Sequence, residues 1–313
     1  MISIELYESG CAAEWDELVD ASRNGTFLHK RAYMDYHSDR FDDCSLLARD
    51  GRGRLVAALP AHRNGNVLAS HRGLTYGGWI MTAKADMEAM MEIWASASAM
   101  ARQMGFGEIL YRPVPHIYHR YPAEEDIYAL WRAGGVLDTV LVSSVVDLQA
   151  PLGFDMSYRQ SVRKAAAKGV EVGPSSDFAG FWQLLSDNLM ATHNAKPVHT
   201  LDEIMLLHDR FPDNIFLYTA QNEGELLAGV VVYDTHTVAH SQYASASPAG
   251  KQCRVMPMLY EHIMRDAASR GKRFFDFGTS CEDSGHVLNT GLIRQKASFG
   301  ARAVAYQSYK IKL

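Results

Sequence analysis

Apolar and polar positions follow the same order in two distant stretches of the chain. Residues 45–60 contain an apolar run, a polar turn around Gly53 and a second apolar run, and residues 216–231 repeat this order around Gly224. Two apolar runs joined by a glycine-containing polar turn are typical of a β-hairpin. The pattern therefore predicts the same hairpin twice, with a further extended segment after each copy.

A helix is predicted after each hairpin. Over residues 87–104 apolar side chains recur at a spacing of three and four, and Gly105 supplies a helix stop. The second helix is predicted at about residues 256–270, before Gly271. Each helix leads into a short apolar strand, over residues 107–111 and 273–277. Two copies of one unit explain the length of 313 residues better than a single large α/β domain does.

A turn signal separates the two copies. Residues 140–147 are predicted as a strand, and Pro151 and Gly153 follow directly. We therefore predict an N-terminal domain over residues 1–150 and a C-terminal domain over residues 151–301. The alternating pattern of residues 302–313 predicts a final strand.

Composition narrows the class of protein. Hydrophobic residues make up 47% and charged residues 21% of the chain, which is typical of a folded globular protein and excludes a disordered or collagen-like chain. The net charge of -5 argues against DNA as a partner. No apolar run approaches the roughly 18 residues of a membrane span. The acidic start of the chain lacks the features of a secretion signal, so we expect a cytoplasmic protein.

The cysteine and histidine pattern predicts no metal site. The four cysteines are far apart and form no metal-binding or CxxC pair, so reduced thiols are expected. His236 and His240 would share one face of an extended strand, but two histidines without a third ligand make a poor metal site.

Five segments occur in an order that is typical of one transferase family. They are residues 25–33, 70–78, 161–170, 274–278 and 293–299. The repeated unit resembles the GNAT acyltransferase fold, and the ordered set resembles the FemAB-like transferases, which are double-GNAT proteins that include peptidoglycan aminoacyltransferases. The resemblance implies an α+β fold with a tandem pair of GNAT-like domains, whose mixed, mainly antiparallel sheets are flanked by helices. It also implies that the strand at 302–313 can return to complete the first domain.

The resemblance implies an acyltransferase. An acyl or aminoacyl group would pass by direct attack from acyl-CoA or aminoacyl-tRNA to an amine or hydroxyl of a small-molecule or cell-envelope precursor, including polysaccharide precursors. The family binds this acceptor in a cleft between the domains and holds no tight cofactor. The alternative is a catalytically silent module that binds a saccharide or peptide precursor. The oligomeric state is not indicated by the sequence.

Three residues are candidates for catalysis. By the resemblance, Lys296 lies near the donor end and the reacting carbonyl, where an ammonium can bind a phosphate or stabilise a developing oxyanion; a solvated surface lysine is the alternative. Asp276 ends a predicted buried strand between aromatic residues, so its carboxylate needs a partner or a cleft, and a structural role is an equal alternative. His199 can accept a proton from an attacking amine or hydroxyl, or serve as a structural histidine.

Substrate-binding candidates include two departures from the family pattern. His37 and His199 stand where the peptidoglycan branch carries a lysine and an arginine for the acceptor's phosphates, which weakens the case for a diphosphate-linked acceptor. Arg112 replaces a family acid and is suited to a carboxylate or phosphate. Tyr243 matches a family tyrosine that faces the cleft. Arg163 and Lys164, on a predicted basic helix, are the last two substrate-binding candidates. They can bind phosphates or form a solvated face of the helix.

A third departure concerns the donor. The sequence lacks the glycine-rich motif whose backbone amides hold the pyrophosphate of coenzyme A at a helix N-terminus in GNAT proteins. The corresponding stretch contains Lys251 and Arg254, which can replace it in part. Acyl-CoA and aminoacyl-tRNA therefore both remain open as the donor.

Overall fold

The computed structural model describes residues 2–313 and divides the chain into two compact units. The first unit runs to Leu141 and includes Ala305–Leu313, and the second is Val142–Val304. The assignment of separate GNAT-like domains at residues 1–150 and 151–301 stays a prediction. Among residues 2–313, no helix has the length and apolar character required to cross a bilayer.

Before its C-terminal segment, the described part of the first unit contains eight strands, four α-helices and the first half of a ninth strand, which continues into the second unit. In chain order these are β1 Ser3–Leu6, α1 Ala12–Ala21, α2 Arg31–Met34, β2 Asp42–Asp43, β3 Leu46–Arg49, β4 Leu55–Leu59, β5 Ala61–Asn64, β6 Val67–Ser70, β7 Ile80–Met81, α3 Met87–Gln103, β8 Glu108–Tyr111, α4 Glu125–Arg132 and β9 Val136–Asp147. Strands β1, β3, β4 and β7 form one antiparallel sheet, in that order. Strands β8, β6, β5 and β2 are neighbours in another sheet, and among these four strands only β6 and β8 run parallel.

The first predicted hairpin and helix are confirmed. Leu46 pairs with Leu59 across the β3–β4 hairpin, and Gly53 in its turn has the positive φ of +74° that favours glycine. Helix α3 begins after Asp86, whose side chain accepts from the amide of Ala89 and so caps the helix. The predicted apolar stripe packs inward, since Trp94 of α3 is buried in the core of this unit.

Except for the part of the last strand from Ala305 onward, which belongs to the first unit, the second unit contains six further α-helices and the remaining strands. They are α5 Met156–Ala167, β10 Glu171–Ser175, α6 Phe178–His193, α7 Leu201–Arg210, β11 Ile215–Asn222, β12 Glu225–Asp234, β13 Val238–Ala246, α8 Pro248–Cys253, α9 Met256–Ser269, β14 Phe274–Thr279, β15 Cys281–Glu282, β16 Val287–Leu288, α10 Thr290–Ala297 and β17 Arg302–Lys312. Strands β10, β11, β12, β13, β14 and β9 are neighbours in this order. All these pairs are antiparallel except β13 with β14.

The second predicted hairpin and helix are also confirmed, as β11–β12 and α9. Helix α9 buries Leu259 and Ile263 against the sheet in the main core of this unit. The last strand, β17, pairs antiparallel with β8 through residues 309–312. Its final segment therefore packs with the first unit.

Candidate functional site

Strands β13 and β14 pair over three residues only and then part. Val238, Ala239 and His240 pair in parallel with Phe274, Phe275 and Asp276. Beyond this point β13 continues to Ala246 and keeps β12 on its other side. Among the described residues no strand pairs with the β14-facing edge of β13 over residues 241–246. Backbone groups along that edge are therefore available to a ligand with its own amide groups.

A cavity of about 490 Å³ opens where the two strands part. We call it the splay cavity. It is lined from α6, β13, α8, α9, β14 and α10; among the lining residues are Asn188, Ser241, Gln242, Lys251, Tyr260, Phe277 and Lys296. All of its lining residues belong to the second unit. Ligand pockets typically measure about 300–1,000 Å³, so this volume suits a small molecule or part of a cofactor.

A β-bulge at Gln242 shapes the β13 side of the cavity. Val232 pairs with Ser241 and Val231 pairs with Tyr243, so Gln242 is the extra residue on β13. A bulge bends the strand and redirects the side chains beyond it. Ser241 and Gln242 consequently both line the cavity, whereas Tyr243 packs elsewhere.

Asp276 is fully buried and accepts hydrogen bonds from three sides. The Ser143 hydroxyl donates to Oδ1 at 2.5 Å, and the Gly278 amide donates to the same oxygen at 2.8 Å. On the other oxygen, Oδ2 lies 3.1 Å from Nδ1 of His240. These donors satisfy a carboxylate that would otherwise be costly to bury. The structure therefore places the predicted Asp276 in a histidine–serine network.

Lys296 of α10 lines the cavity, but its ammonium is fully engaged. Nζ donates to the carbonyl oxygens of Gly278 at 2.8 Å and Thr279 at 3.0 Å, and to the hydroxyl of Ser280 at 2.8 Å. An ammonium has three donors, so all are used within the protein. Burial lowers the pKa of Lys296 to about 8, and Asp276 opposes part of that shift. Lys296 and Asp276 are brought together through Gly278.

His199 and Tyr243 form a separate pair. Nδ1 of His199 lies 2.5 Å from the Tyr243 hydroxyl, and Trp182 donates from its indole nitrogen to the His199 carbonyl at 3.1 Å. The ring of Trp182 meets that of Tyr243 edge-on at 5.1 Å. Burial raises the pKa of Tyr243 to about 12. Neither His199 nor Tyr243 is among the residues that line the splay cavity.

The segment expected to bind the donor's pyrophosphate folds as the short helix α8. Ser247 caps α8 by accepting from the Gly250 amide, and the amide of Val255 donates to the Gly250 carbonyl. The amides of Met258 and Leu259 donate to Val255, so these donors at the start of α9 are occupied. The amides of Val255, Met258 and Leu259 are therefore not available to hold a pyrophosphate.

The two predicted cofactor-binding residues of this segment point to different places. Lys251 lines the splay cavity, and its Nζ donates to Asn188 Oδ1 at 2.9 Å. Arg254 lies over the ring of Tyr158, 5.7 Å from its centroid, and does not line the cavity. Arg163 and Lys164 are exposed on α5 and do not line it either. Lys251 is therefore the residue of these four that the structure groups with Lys296.

In the first unit, His37 and Arg112 meet at His71. The imidazoles of His37 and His71 are 5.3 Å apart, and Nη2 of Arg112 donates to the His71 carbonyl at 2.9 Å. His62 lies 5.3 Å from His71, and Phe41 contacts all three rings. We call His37, His62 and His71 the histidine cluster.

The histidine cluster is buried near charges of both signs. Burial lowers the pKa of His37 and His62 to about 4 and that of His71 to about 3. Nearby arginines also lower the pKa values of these histidines and nearby aspartates raise them; among these residues are Arg40, Arg72 and Arg112, and Asp39, Asp42 and Asp43. Burial and nearby Arg72 also lower the pKa of Arg112. The buried Nε of Arg112 has no hydrogen-bond partner. A guanidinium in this state suits an incoming anion.

The sequence did not indicate His240 or Ser143 as site residues, whereas Ser280, in the polar loop after Asp276, was expected to line the same space as Asp276. His240 was considered only as a metal ligand, and among residues 2–313 no group of histidine, cysteine or acidic side chains is arranged to hold a metal. Ser143 lies on β9, more than 130 positions from its partner Asp276, and no local spacing links the two. The sequence indicated only that Asp276, as a buried carboxylate, needs hydrogen-bond partners; it did not indicate which residues these are.

The chain is similar to one protein-family model and to several solved structures. A model described as an acetyltransferase (GNAT) domain matches residues 156–285. No curated protein sequence matches the chain. The crystal structure of FemX is 12% identical with a TM-score of 0.71, and the match covers 99% of this chain and 97% of that one.

Two further solved structures have the same fold. One is the C-terminal domain of a putative lysylphosphatidylglycerol synthetase from Agrobacterium fabrum, which is 15% identical with a TM-score of 0.63; 96% of this chain and 92% of that one are covered. The other is L-PGS from Bacillus licheniformis, at 13% identity, a TM-score of 0.59 and coverage of 86% and 83%.

Residues 156–285 match the model of a GNAT acetyltransferase domain, and the chain as a whole has the same fold as FemX. The predicted α+β fold with mainly antiparallel sheets and the resemblance to the FemAB-like double-GNAT proteins are confirmed. The prediction of an acyltransferase is confirmed at the level of this class.

Proposed function

We propose that the protein transfers an acyl group from an activated donor, bound at the splay cavity, to an amine or hydroxyl of an acceptor. The parting of β13 and β14 after His240 carries this proposal, because it leaves one backbone edge without a paired strand beside a cavity of about 490 Å³. An extended donor with amide groups, such as the pantetheine arm of an acyl-CoA, can pair with this edge as an added strand would. Acyl-CoA is the usual co-substrate of GNAT domains.

We propose that side chains, rather than backbone amides, bind the phosphates of the donor. Because the amides near the start of α9 are occupied, phosphates would depend on Lys251 and on exposed cations nearby. We expect weaker binding of coenzyme A than an amide cradle gives. An aminoacyl ester of tRNA is the second donor candidate, supported by the fold shared with FemX and with a putative lysylphosphatidylglycerol synthetase.

The reaction we propose is a direct attack without a covalent enzyme intermediate. The positive charge of Lys296 lies at the cavity wall and stabilises negative charge that develops on the carbonyl oxygen. Its three hydrogen bonds hold residues 278–280 in place, so this contribution is electrostatic at a distance rather than a new direct hydrogen bond. Asp276 and His199 were the predicted proton acceptors, and Asp276 supports the site through its network.

The acceptor is proposed to carry an anionic group. Arg112 has an unpartnered buried Nε and lies beside Arg72 and the histidine cluster, and a carboxylate or phosphate would offset this charge. An amino acid, a peptide or an envelope precursor with such a group fits this description. His37 would contact the acceptor from the same cluster.

The first test combines binding with transfer. Thermal shift is measured with coenzyme A and acyl-CoAs, and release of free thiol is measured with amino acids and amino sugars as acceptors. We expect stabilisation by coenzyme A, and Lys251→Met should raise its Kd roughly fivefold, the effect of losing about 1 kcal/mol of one charged contact. Lys164→Met is the matched control, because Lys164 is exposed on α5 away from the cavity.

The outcomes separate the alternatives. A loss of binding in Lys164→Met with Lys251→Met unaffected would move the donor to the basic face of α5. Turnover with aminoacyl-tRNA alone would identify the second donor. If no thioester or aminoacyl ester reacts and only a saccharide or peptide precursor shifts the Tm, the protein is a binding module and the proposed enzyme function is wrong.

A further inference from the structure

We infer that His240 takes the proton of the attacking acceptor group, and that Asp276 is its positioning residue. This inference rests on the proposed acyl transfer and names the proton acceptor for it. The assignment comes from the contacts of the two residues and from their position where β13 and β14 part.

The contacts of Asp276 fix both its charge and the orientation of the His240 ring. The carboxylate accepts from Ser143 at 2.5 Å and from the Gly278 amide at 2.8 Å, so it is held in one orientation. Its second oxygen faces Nδ1 of His240 at 3.1 Å. A carboxylate only accepts hydrogen bonds, so Nδ1 carries the proton in this contact. Nε2 is then the basic nitrogen of the ring.

The pair formed by His240 and Asp276 lies next to the splay cavity along β13. His240 and Asp276 are the last register pair of β13 and β14, and the next residue, Ser241, lines the cavity. The side chain of His240 is 11% exposed, whereas Asp276 is fully buried. The imidazole is therefore mostly buried beside the point where the strands separate, next to but not among the residues that line the splay cavity, and its partner carboxylate is fully buried.

Gly278 leaves room beside the ring. A Cβ at Gly278 would lie 3.5 Å from Cε1 and 3.9 Å from Nε2 of His240, so the edge of the imidazole that carries Nε2 faces this glycine. Its φ of +76° also favours glycine. The carbonyl of Gly278 accepts from Lys296, a residue of the cavity wall. This glycine thus connects the imidazole to the cavity.

The charges around His240 come from several elements. Asp276 lies on β14 and Lys296 on α10, joined to it through Gly278. Tyr233 of β12 is the register partner of His240, and Ser143 of β9 contacts the same carboxylate. Cys281 on β15 is close enough to Lys296 to raise the pKa of its ammonium. The Asp276 carboxylate is thus the charged group in direct contact with the imidazole, and Lys296 is joined to this carboxylate through Gly278.

In the proposed step an acyl group moves from a thioester to an amine. The nitrogen lone pair forms the new bond to the carbonyl carbon, and the carbon–sulfur bond breaks as the thiolate leaves with the electron pair. The amine proton moves to Nε2 of His240. Water then takes this proton from the imidazolium, and the thiolate gains one from water. No oxidant or other co-reactant is required.

The test compares His240→Asn, Asp276→Asn and His236→Gln. Asparagine at 240 can still donate to Asp276 from its amide nitrogen, but it lacks a base, which favours correct folding. His236 lies four residues earlier and is exposed, so it is the matched histidine control. Thiol release is followed with acetyl-CoA and the acceptor that gives the highest wild-type rate among amino acids and amino sugars, from pH 5 to 9.

We expect His240→Asn to lower kcat by about 100-fold, the typical contribution of general base catalysis. The KM for acetyl-CoA and the Tm should remain near the wild-type values. The variant should also lose the fall in activity on the acidic side of the pH profile. Asp276→Asn should lower kcat and change the same side of the profile, and His236→Gln should do neither.

Two results would overturn the inference, and they are distinct. If the wild type transfers acyl groups and His240→Asn keeps more than a third of kcat with an unchanged pH profile, the role of His240 is wrong and the proposed function stands. If the wild type shows no transfer from any donor, the proposed function fails and the inference with it. Should His240→Asn not fold, His240→Gly with added imidazole decides: recovery of kcat supports the inference, and no recovery overturns it.

Discussion

The side-chain ammonium of Lys296 donates a hydrogen bond to the carbonyl oxygen of Gly278, with 2.8 Å between the two atoms. The amide of the same glycine donates to Asp276, so one peptide segment joins the lysine of α10 to the buried carboxylate of β14. Lys296 is only 8% exposed, and its other two donors also have partners. A buried, fully bonded lysine both stabilises the end of β14 and supplies charge to the cavity wall.

This burial predicts how stability depends on pH. The folded-state pKa of Lys296 is lowered to about 8, from 10.5. Between these two values the unfolded chain binds more protons than the folded chain, so stability rises with pH. The free energy of unfolding of the wild type, relative to Lys296→Met, should therefore increase by about 1.4 kcal/mol per pH unit above pH 8. Urea denaturation at pH 7.5, 8.5 and 9.5 measures it.

Lys251→Met is the control for this measurement. Lys251 lines the same cavity but is exposed and donates to Asn188 only. Its difference from the wild type should stay constant over the same pH range. A constant difference for Lys296→Met as well would show that Lys296 keeps an ordinary pKa in the folded protein.

Two helical glycines predict opposite effects of one substitution. A Cβ on Gly250 of α8 would overlap the backbone carbonyl of Leu227 on β12, which cannot move aside easily. A Cβ on Gly291 of α10 meets only the Asn289 side chain, at 3.6 Å. Gly250→Ala should therefore destabilise the protein by about 1–3 kcal/mol, and Gly291→Ala should be neutral or stabilising by up to about 1 kcal/mol.

Chemical denaturation of both variants measures the two effects. Gly250→Ala should also weaken coenzyme A binding, because α8 carries Lys251 into the cavity. If Gly250→Ala has wild-type stability, α8 does not pack on β12 as the structure has it.

Elements with strong periodicity could be predicted from the sequence. The hairpins at Gly53 and Gly224 and the helices α3 and α9 each combine a regular apolar pattern with a glycine stop, so local physics determines them. Helices α6 and α7 were not predicted. Helix α6 is apolar on most of its surface, with Phe178 and Phe181 buried, so it carries little amphipathic signal.

The candidate site was harder to predict because its contacts are distant in sequence. Lys296 was predicted from the resemblance and Asp276 from its place at the end of a buried strand, and the structure joins the two through Gly278. The partnership of His240 with Asp276 depends on the parallel register of β13 and β14, which no spacing in the sequence encodes. The same holds for the meeting of His37 and Arg112 at His71.

The histidine cluster predicts a loss of stability in acid. The folded-state pKa values of its members are lowered to about 3 to 4, below the ordinary value of 6.5. As pH falls from 6.5 toward 4, the unfolded chain takes up protons that the folded chain does not, so stability is lost. Each histidine contributes about 1.4 kcal/mol per pH unit in this window.

His71→Asn isolates one member of the cluster. The Gly73 amide donates to Nδ1 of His71, and an asparagine oxygen can replace that acceptor without titrating. Across pH 6.5 to 4.5 the variant should lose stability less steeply than the wild type, by about 1.4 kcal/mol per pH unit. His116→Asn, at an exposed histidine of the same unit, should leave the slope unchanged. An unchanged slope in His71→Asn would mean that the cluster is protonated while folded.

Asp126 predicts the opposite trend in the same unit. It is buried, accepts from the Tyr111 hydroxyl and from the Ile127 amide at 2.9 Å, and burial raises its pKa from 3.8 to about 7. The folded chain therefore holds a proton between these values that the unfolded chain has released. This contribution to stability is complete below pH 3.8 and is lost as pH rises through 7.

Asp126→Asn removes this titration. Relative to the variant, the wild type should lose about 1.4 kcal/mol of unfolding free energy per pH unit from pH 4 to 7 and then remain level. Because the histidine cluster acts in the opposite direction over part of this range, each contribution must be measured against its own variant. A constant difference for Asp126→Asn would show that the carboxylate is ionised in the folded protein throughout, with the Tyr111 hydroxyl and the Ile127 amide sufficient to hold its charge.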